Sequence, residues 1–442
     1  MAMKTRESSP WQIKHPNAAG IDVGSAEHYV AVPIDRCAQP VRKFACHTQD
    51  LQALADWLIE CGVDTVAMES TGVYWIALYE LLESRGLKVC LSDARRTRNV
   101  SGRKSDVLDC QWLQQLMTYG LLSAAFRPAE QICAMRAVMR ERARLISEQG
   151  SCTQLMQKAL TQMNVQLTNE LSDIAGKTGL AIIRGIVAGE RDGKKLAQLR
   201  DYRNHASAEE IARSLQGNWR REHLLCLANA LELFDVYQRL IGKSDEQLQA
   251  MLAELPSVVE QAVPKSKKRG GKHAPSFDAR AALYRCVGVD LTRIGGIDIG
   301  TALCVLLEIG WDLSKFPSVR DFTSWLGLCP GTRITGGKRI GGATKRTHNR
   351  ATQALKLAAQ GLSRSGCWLG AFYRRKAARL GAGKAITATA HKLARLIYAL
   401  LTKGEAYVER SEEDYEQEHR KRTLRQLERN AARLGMRLEP AV

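Results

Sequence analysis

The sequence predicts an α/β domain followed by a mainly helical, basic remainder, and three observations predict it. Short β-rich runs alternate with helical periodicity through residue 122. From about residue 128 the apolar spacing of three and four takes over. Between Asp321 and Glu405 there is no acidic residue. The chain has 442 residues, more than a single domain of roughly 100–200 residues, and is 45% hydrophobic and 25% charged. Those fractions are ordinary for soluble globular proteins and allow a sizeable core.

In order, strands are expected at 18–23, 28–32 and 41–46, with a hairpin-like connection at 24–27. A helix at 50–61 places Leu51, Leu54, Trp57 and Leu58 on one face. A strand at 65–68, a helix at 74–84, a strand at 87–91 and a helix at 105–122 complete a layered α/β domain over 16–127. Ser105 is placed to cap the last helix. Long amphipathic stretches at 132–167 and 221–255, with shorter helices at 179–189 and 207–215, form a coiled-coil-like segment over 128–263. They suit either an antiparallel hairpin or an oligomer interface. The Gly-, Pro- and Lys-rich run 264–276 reads as a flexible basic linker. A compact domain over 277–408 and a charged helical tail over 409–442 follow.

Several classes are excluded. No run approaches the roughly 18 apolar residues of a membrane span, and the basic, polar N-terminus lacks the apolar stretch of a secretory signal. A cytoplasmic protein is expected. The closest of the 12 cysteines, Cys37 and Cys46, lie nine residues apart and no CxxC occurs, so reduced core cysteines are expected rather than zinc or disulfides.

The net charge is +19, and sixteen Lys and Arg residues fall in the acid-free interval. Such a surface repels itself unless a polyanion covers it, and nucleic acid is the natural partner. Lys338, Arg339, Lys345, Arg346 and Arg350 are candidate phosphate contacts, beside Gly336, Gly337, Gly341 and Gly342, which let backbone approach a phosphate closely. Arg95, Arg96, Arg98, Arg103 and Lys104 form a second basic run directly before an aspartate pair.

Asp22 ends a strand in GIDVG, and Glu69 ends another in AMESTG. Strand ends are where an α/β sheet presents site residues. Asp106 and Asp109 lie three apart on one helix face. Four such carboxylates would repel one another unless divalent cations sat between them, and a pair of hard cations suits phosphoryl transfer.

The order GIDVG, AMESTG and GRKSDVLDCQWL resembles the RuvC-like, RNase H-fold domain of the DEDD transposases of bacterial insertion sequences, whose relatives include Piv-type DNA invertases and bridge-RNA-guided recombinases. The likeness spans roughly residues 20 to 408 and places Asp22, Glu69, Asp106 and Asp109 at the family's four acidic positions. It implies a Mg²⁺-dependent recombinase, with two ions expected, that cuts and exchanges donor and target DNA. It also implies a non-coding bridge RNA, a homo-oligomer between dimer and tetramer, and a nucleoid-associated bacterial setting.

LTRIGGIDIGTALCVLLEIG resembles a helix-hairpin-helix, and WLGLCPGTRITGGKRIGGATKRTHNRATQAL resembles the family's transposase domain. There the family carries a presumed serine nucleophile before a glycine. The matching residue is Thr335, and no serine lies between Ser324 and Ser363. Threonine offers the same hydroxyl, with a methyl that stiffens χ1 and crowds in-line attack. A working threonine variant, a weakened or inactive copy and a deliberate change all fit that departure. Three competing functions remain: a RuvC-like endonuclease using metal-activated water, an actin-like sugar kinase or ATPase, and a non-enzymatic nucleic-acid-binding protein.

Overall fold

Five strands form one mixed sheet in the first part of the computed structural model, which describes residues 12–437 and 439 apart from 71, 93–104, 264–269, 346, 348 and 405–411. They are β1 (Ala18–Val23), β2 (Glu27–Ala31), β3 (Val41–Ala45), β4 (Thr65–Glu69) and β5 (Lys88–Ser92), in the order β3-β2-β1-β4-β5. β1, β2 and β3 are antiparallel neighbours, whereas β4 and β5 run parallel to β1. Parallel pairing needs a crossover. Helix α1 (Thr48–Glu60) leads into β4, and α2 (Trp75–Ser84) lies between β4 and β5.

Side chains alternate across a strand, so β1 and β4 each present two faces. Ala19, Ile21, Val23, Val66 and Met68 enter one core with Leu54 and Leu58 of α1 and Leu78 and Leu82 of α2. Ala18 and Ala67 enter the other, against Leu113 and Met117 of α3 (Asp106–Thr118). Ser105 caps α3, accepting a hydrogen bond from the Leu108 amide. Small residues on this second face let α3 lie directly on the sheet. A Cβ at Gly20 would stand 2.2 Å from the Cys110 carbonyl oxygen and 2.3 Å from the Gln114 amide nitrogen.

The chain divides into two compact units, residues 1–127 and 128–442. In the second, α4 (Glu130–Gln162) is followed by the short helices α5 (Leu167–Glu170), α6 (Lys177–Val187), α7 (Gly193–Ala197) and α8 (Ala208–Ser214), and then by α9 (Arg221–Glu254). The two long helices pack as an antiparallel hairpin: Arg142 pairs with Asp245, and Gln149 donates to Gln238 at 2.8 Å. A core from Cys152 to Phe234 closes the end of the hairpin over the short helices. Residues 270–276, expected as part of a flexible linker, make fixed contacts: Arg142 donates to the His273 carbonyl, and the Ser276 amide donates to Asp245.

Helix α10 (Ala279–Val287), a single 3-10 turn at Leu291–Arg293 and α11 (Ile299–Ile309) follow, with Gly296 at φ 83° and Asp298 capping α11. Arg140 of α4 grips Glu308 of α11 through two hydrogen bonds of 2.8 and 2.6 Å. Beyond lie α12 (Val319–Trp325), a two-stranded ribbon of β6 (Arg333–Thr335) and β7 (Lys338–Gly341), α13 (Arg350–Gly361), α14 (Trp368–Leu380), α15 (Ala382–Lys403) and the tail helix α16 (Glu412–Arg433). Ala385, Ala390, Leu393, Ala394, Ile397 and Leu400 bury one stripe of α15 in this part of the fold. No helix among the described residues is long and apolar enough to cross a membrane.

Candidate functional site

The β1–β4 ladder ends at the pair Ile21↔Met68, so Asp22 and Glu69 are the next residues on adjacent parallel strands, at the same end of the sheet. Period-two alternation from Ala18 and Gly20 puts Asp22 on the face that α3 covers, and alternation from Ala67 puts Glu69 there too. Helix α3 runs antiparallel to β1. Thr118 accepts from the amides of Lys14 and His15 before the strand, Cys110 and Gln114 lie over Gly20, and the first turn of α3 therefore reaches the Asp22 end. Asp106 and Asp109 occupy that first turn. Carboxylates there are favoured by the positive end of the helix dipole.

Electrostatics within the unit agree with this placement. The buried Cys110 thiol is pushed up to about 12, first by burial and then by the negative charge of Asp22, with Asp109 adding to it. The Tyr29 phenol is raised by desolvation, by its hydrogen bond to Glu27 and by surrounding charges that include Asp106. Asp22, Glu69 and Asp109 are half-buried and Asp106 is exposed. All four carboxylates thus share one corner of the first unit.

The donor chemistry fits a hard divalent cation, since carboxylate oxygens are what such ions prefer. Among the described residues, however, no group of three or more His, Cys, Asp or Glu side chains is gathered closely enough to hold a metal ion.

The sheet adds residues that the local sequence did not mark. Register pairs Asp22 with Tyr29, Tyr29 with Lys43, and Glu69 with Ser92. One row on the α3 face thus reads Ser92, Glu69, Asp22, Tyr29, Lys43 across all five strands. The Ser92 hydroxyl is buried with no hydrogen-bond partner among the described residues. Glu27 accepts from the Tyr29 hydroxyl at 3.2 Å and pairs with Lys43 at 2.9 Å. That pairing holds the Glu27 carboxyl below and the Lys43 ammonium above their ordinary values. Strand order and alternation together would have found this row; spacing along the chain does not.

In the second unit Thr335 is exposed at the end of β6 and pairs with Lys338 across a two-residue loop. Gly336 and Gly337 both have positive φ, 54° and 74°, which suits the tight turn of a two-residue hairpin. The ribbon is anchored at its base by the Pro330↔Thr344 bridge and the 2.9 Å hydrogen bond from the Gly331 amide to the Ala343 carbonyl. Ile334 and Ile340 stand 67% and 66% exposed on it. Lys338, Lys345 and Arg350 are exposed, and Asn349 caps the helix that Arg350 begins. Arg95, Arg96, Arg98, Arg103, Lys104 and Arg346 lie outside the described residues, as does the side chain of Arg339.

This combination, a mixed five-stranded sheet with acids at one corner and a mostly helical basic remainder, defines a class of protein, and comparison with known proteins places the chain within it. A family described as "Transposase", of the DEDD type, matches residues 19–165, and the "Transposase IS116/IS110/IS902 family" matches residues 290–374. The chain is 37% identical over 128 residues to the inferred transposase y4pF/y4sB of Sinorhizobium fredii, a stretch covering 26% of this chain and 32% of that protein. It therefore spans about a third of the length of the curated relative it matches. The chain belongs to the IS110-type DEDD transposases.

Proposed function

We propose that this protein is a DNA recombinase of an insertion sequence, with an RNase H-like, RuvC-like first domain. In this proposal Asp22, Glu69, Asp106 and Asp109 bind divalent cations, expected to be a pair of Mg²⁺ ions, and the hydroxyl of Thr335 attacks the DNA backbone. The observation that carries it is the shared corner: two strand-end acids and two first-turn helix acids on one face of the sheet. The strand order, three antiparallel strands followed by two parallel ones, supports the RNase H-like assignment.

Bound at that corner, the cations would neutralise and polarise a scissile phosphate. The chain's own groups then divide the remaining work. The Thr335 oxygen forms a phosphoester bond as the sugar oxygen leaves, and a strand hydroxyl later displaces threonine to complete exchange. The ribbon holds that hydroxyl at an exposed edge opposite Lys338, and the exposed Lys338, Lys345 and Arg350 of the same unit would supply positive charge for the phosphate backbone. Guidance by a bridge RNA, assembly up to a tetramer and action on cytoplasmic, nucleoid DNA complete the proposal. The sixteen Lys and Arg residues in the acid-free interval between Asp321 and Glu405 support a polyanionic partner.

A RuvC-like endonuclease using activated water is the second reading, favoured by threonine standing where the family has serine. Recombination and covalent trapping separate the two. Wild type, Thr335→Ser, Thr335→Ala and Asp106→Ala would be assayed with Mg²⁺ and the element's flanking RNA. Protein trapped on DNA by wild type and Thr335→Ser but not by Thr335→Ala supports the recombinase. Equal cleavage by all three hydroxyl-site proteins, with Asp106→Ala inactive, supports the nuclease.

A further inference from the structure

We propose that Lys43 and Tyr29 extend the carboxylate corner into a track for the backbone of the DNA strand being cut, Lys43 holding a phosphate and Tyr29 the adjoining sugar-phosphate. The proposal rests on the recombinase reading and deepens it.

A corner carrying Asp22, Glu69, Asp106 and Asp109 repels the polyanion it is meant to cut, so a strand entering it needs cations at the edge. Register sets Lys43 two strands from Asp22 on the same face, with Tyr29 between them. At about 4.8 Å per strand that is roughly 10 Å, within reach of a single nucleic-acid backbone. The Lys43 side chain is 56% exposed, and its partner Glu27 is 42% exposed. An exposed ion pair is weak, so an incoming phosphate can displace Glu27. Until then Glu27 holds both the Lys43 ammonium and the Tyr29 hydroxyl in place. These two would be positioning residues, since the chemistry belongs to the acids and the hydroxyl.

The plain alternative is a cross-strand ion pair that only steadies the β2–β3 hairpin. On that view Glu27→Gln and Lys43→Ala do equal harm. A phosphate track predicts that they part company.

The test is equilibrium binding of the full-length protein to a short duplex DNA in the presence of EDTA, so that no bound metal enters the readout. Lys43→Ala should bind about tenfold more weakly, with a slope of log K against log salt smaller by about one. Lys43→Arg should restore both. Glu27→Gln should bind as tightly as wild type or tighter. Lys88→Ala, an exposed lysine at the opposite end of β5, should change neither quantity by a comparable amount. A single neutral methylphosphonate at the contacted phosphate should weaken wild type and leave Lys43→Ala unchanged. Matching losses in Glu27→Gln and Lys43→Ala, or a Lys43→Ala protein indistinguishable from Lys88→Ala, would overturn the assignment. Absence of DNA binding by wild type even with Mg²⁺ and the element's flanking RNA would instead sink the recombinase reading itself.

Discussion

Gly20 of β1 lies against the backbone of α3 so closely that any Cβ would stand 2.2 Å from the Cys110 carbonyl oxygen. The neighbour is backbone and cannot rotate away, so the helix itself must shift. Gly20→Ala is expected to destabilise the first unit by about 1–3 kcal/mol, as overpacking does. It should also move Asp106 and Asp109 away from Asp22. Urea unfolding reads the first effect and strand cleavage the second. A Gly20→Ala protein with wild-type stability would show that the helix is not seated as described.

Divalent cations should stabilise the folded protein by mass action if the acidic corner binds them, by about 2.7 kcal/mol at a hundredfold excess over Kd. Thermal unfolding with and without Mn²⁺ or Mg²⁺ measures this. The shift should vanish in Asp22→Asn and Glu69→Gln. Persistence of the shift in both would place the ions elsewhere.

His28 is buried, 2% exposed, and burial holds its imidazole below the ordinary 6.5. On acidification the unfolded chain therefore takes up the proton first. The stability His28 contributes is complete above pH 6.5 and is lost as the pH falls toward the lower folded-state value, at up to about 1.4 kcal/mol per pH unit. His28→Gln should flatten stability curves between about pH 7 and pH 5. Parallel curves for the two proteins would rule out this origin of acid sensitivity.

Arg142 and Asp245 form an ion pair with side chains only 4% and 3% exposed, and the same two residues hold the His273 carbonyl and the Ser276 amide. Asp245→Ala leaves a buried guanidinium uncompensated and should cost about 3–5 kcal/mol. Replacing both with apolar residues of similar volume should recover much of that loss. A mild effect of Asp245→Ala alone, measured by denaturant unfolding, would mean that water reaches the pair.

The ribbon turn depends on φ above zero at Gly336 and Gly337. Gly336→Asn should be tolerated, because Asn-Gly suits the same turn, whereas Gly336→Val should loosen the ribbon and lower strand exchange at least tenfold. Amide hydrogen exchange in β6 and β7 distinguishes a loosened ribbon from a lost contact. Wild-type exchange in the valine variant would contradict the described turn.

Alternation and capping made much of the first unit legible in the sequence. The strands carrying Asp22 and Glu69 near their ends are apolar, bounded runs, and Ser105 stands where a helix cap belongs, so their positions follow from local preference. The long helices at 130–162 and 221–254 were legible for the same reason. Their antiparallel packing was not, because an amphipathic face does not name its partner; the Arg142–Asp245 contact does. The ribbon around Thr335 escaped sequence reading, since a three-residue and a four-residue strand joined by two glycines carry little periodic signal.

By itself the sequence determined which residues could carry chemistry here: four acids, a hydroxyl and an acid-free basic region, each set by residue type and short-range spacing. Only the tertiary structure decided which of them are neighbours. Parallel register brings Asp22 beside Glu69, and Gly20 seats α3 so that Asp106 and Asp109 reach the same corner. Antiparallel register carries the row on to Tyr29 and Lys43. Hydrogen-bonded pairing between strands distant in the chain is a non-local interaction, and no local pattern encodes its register.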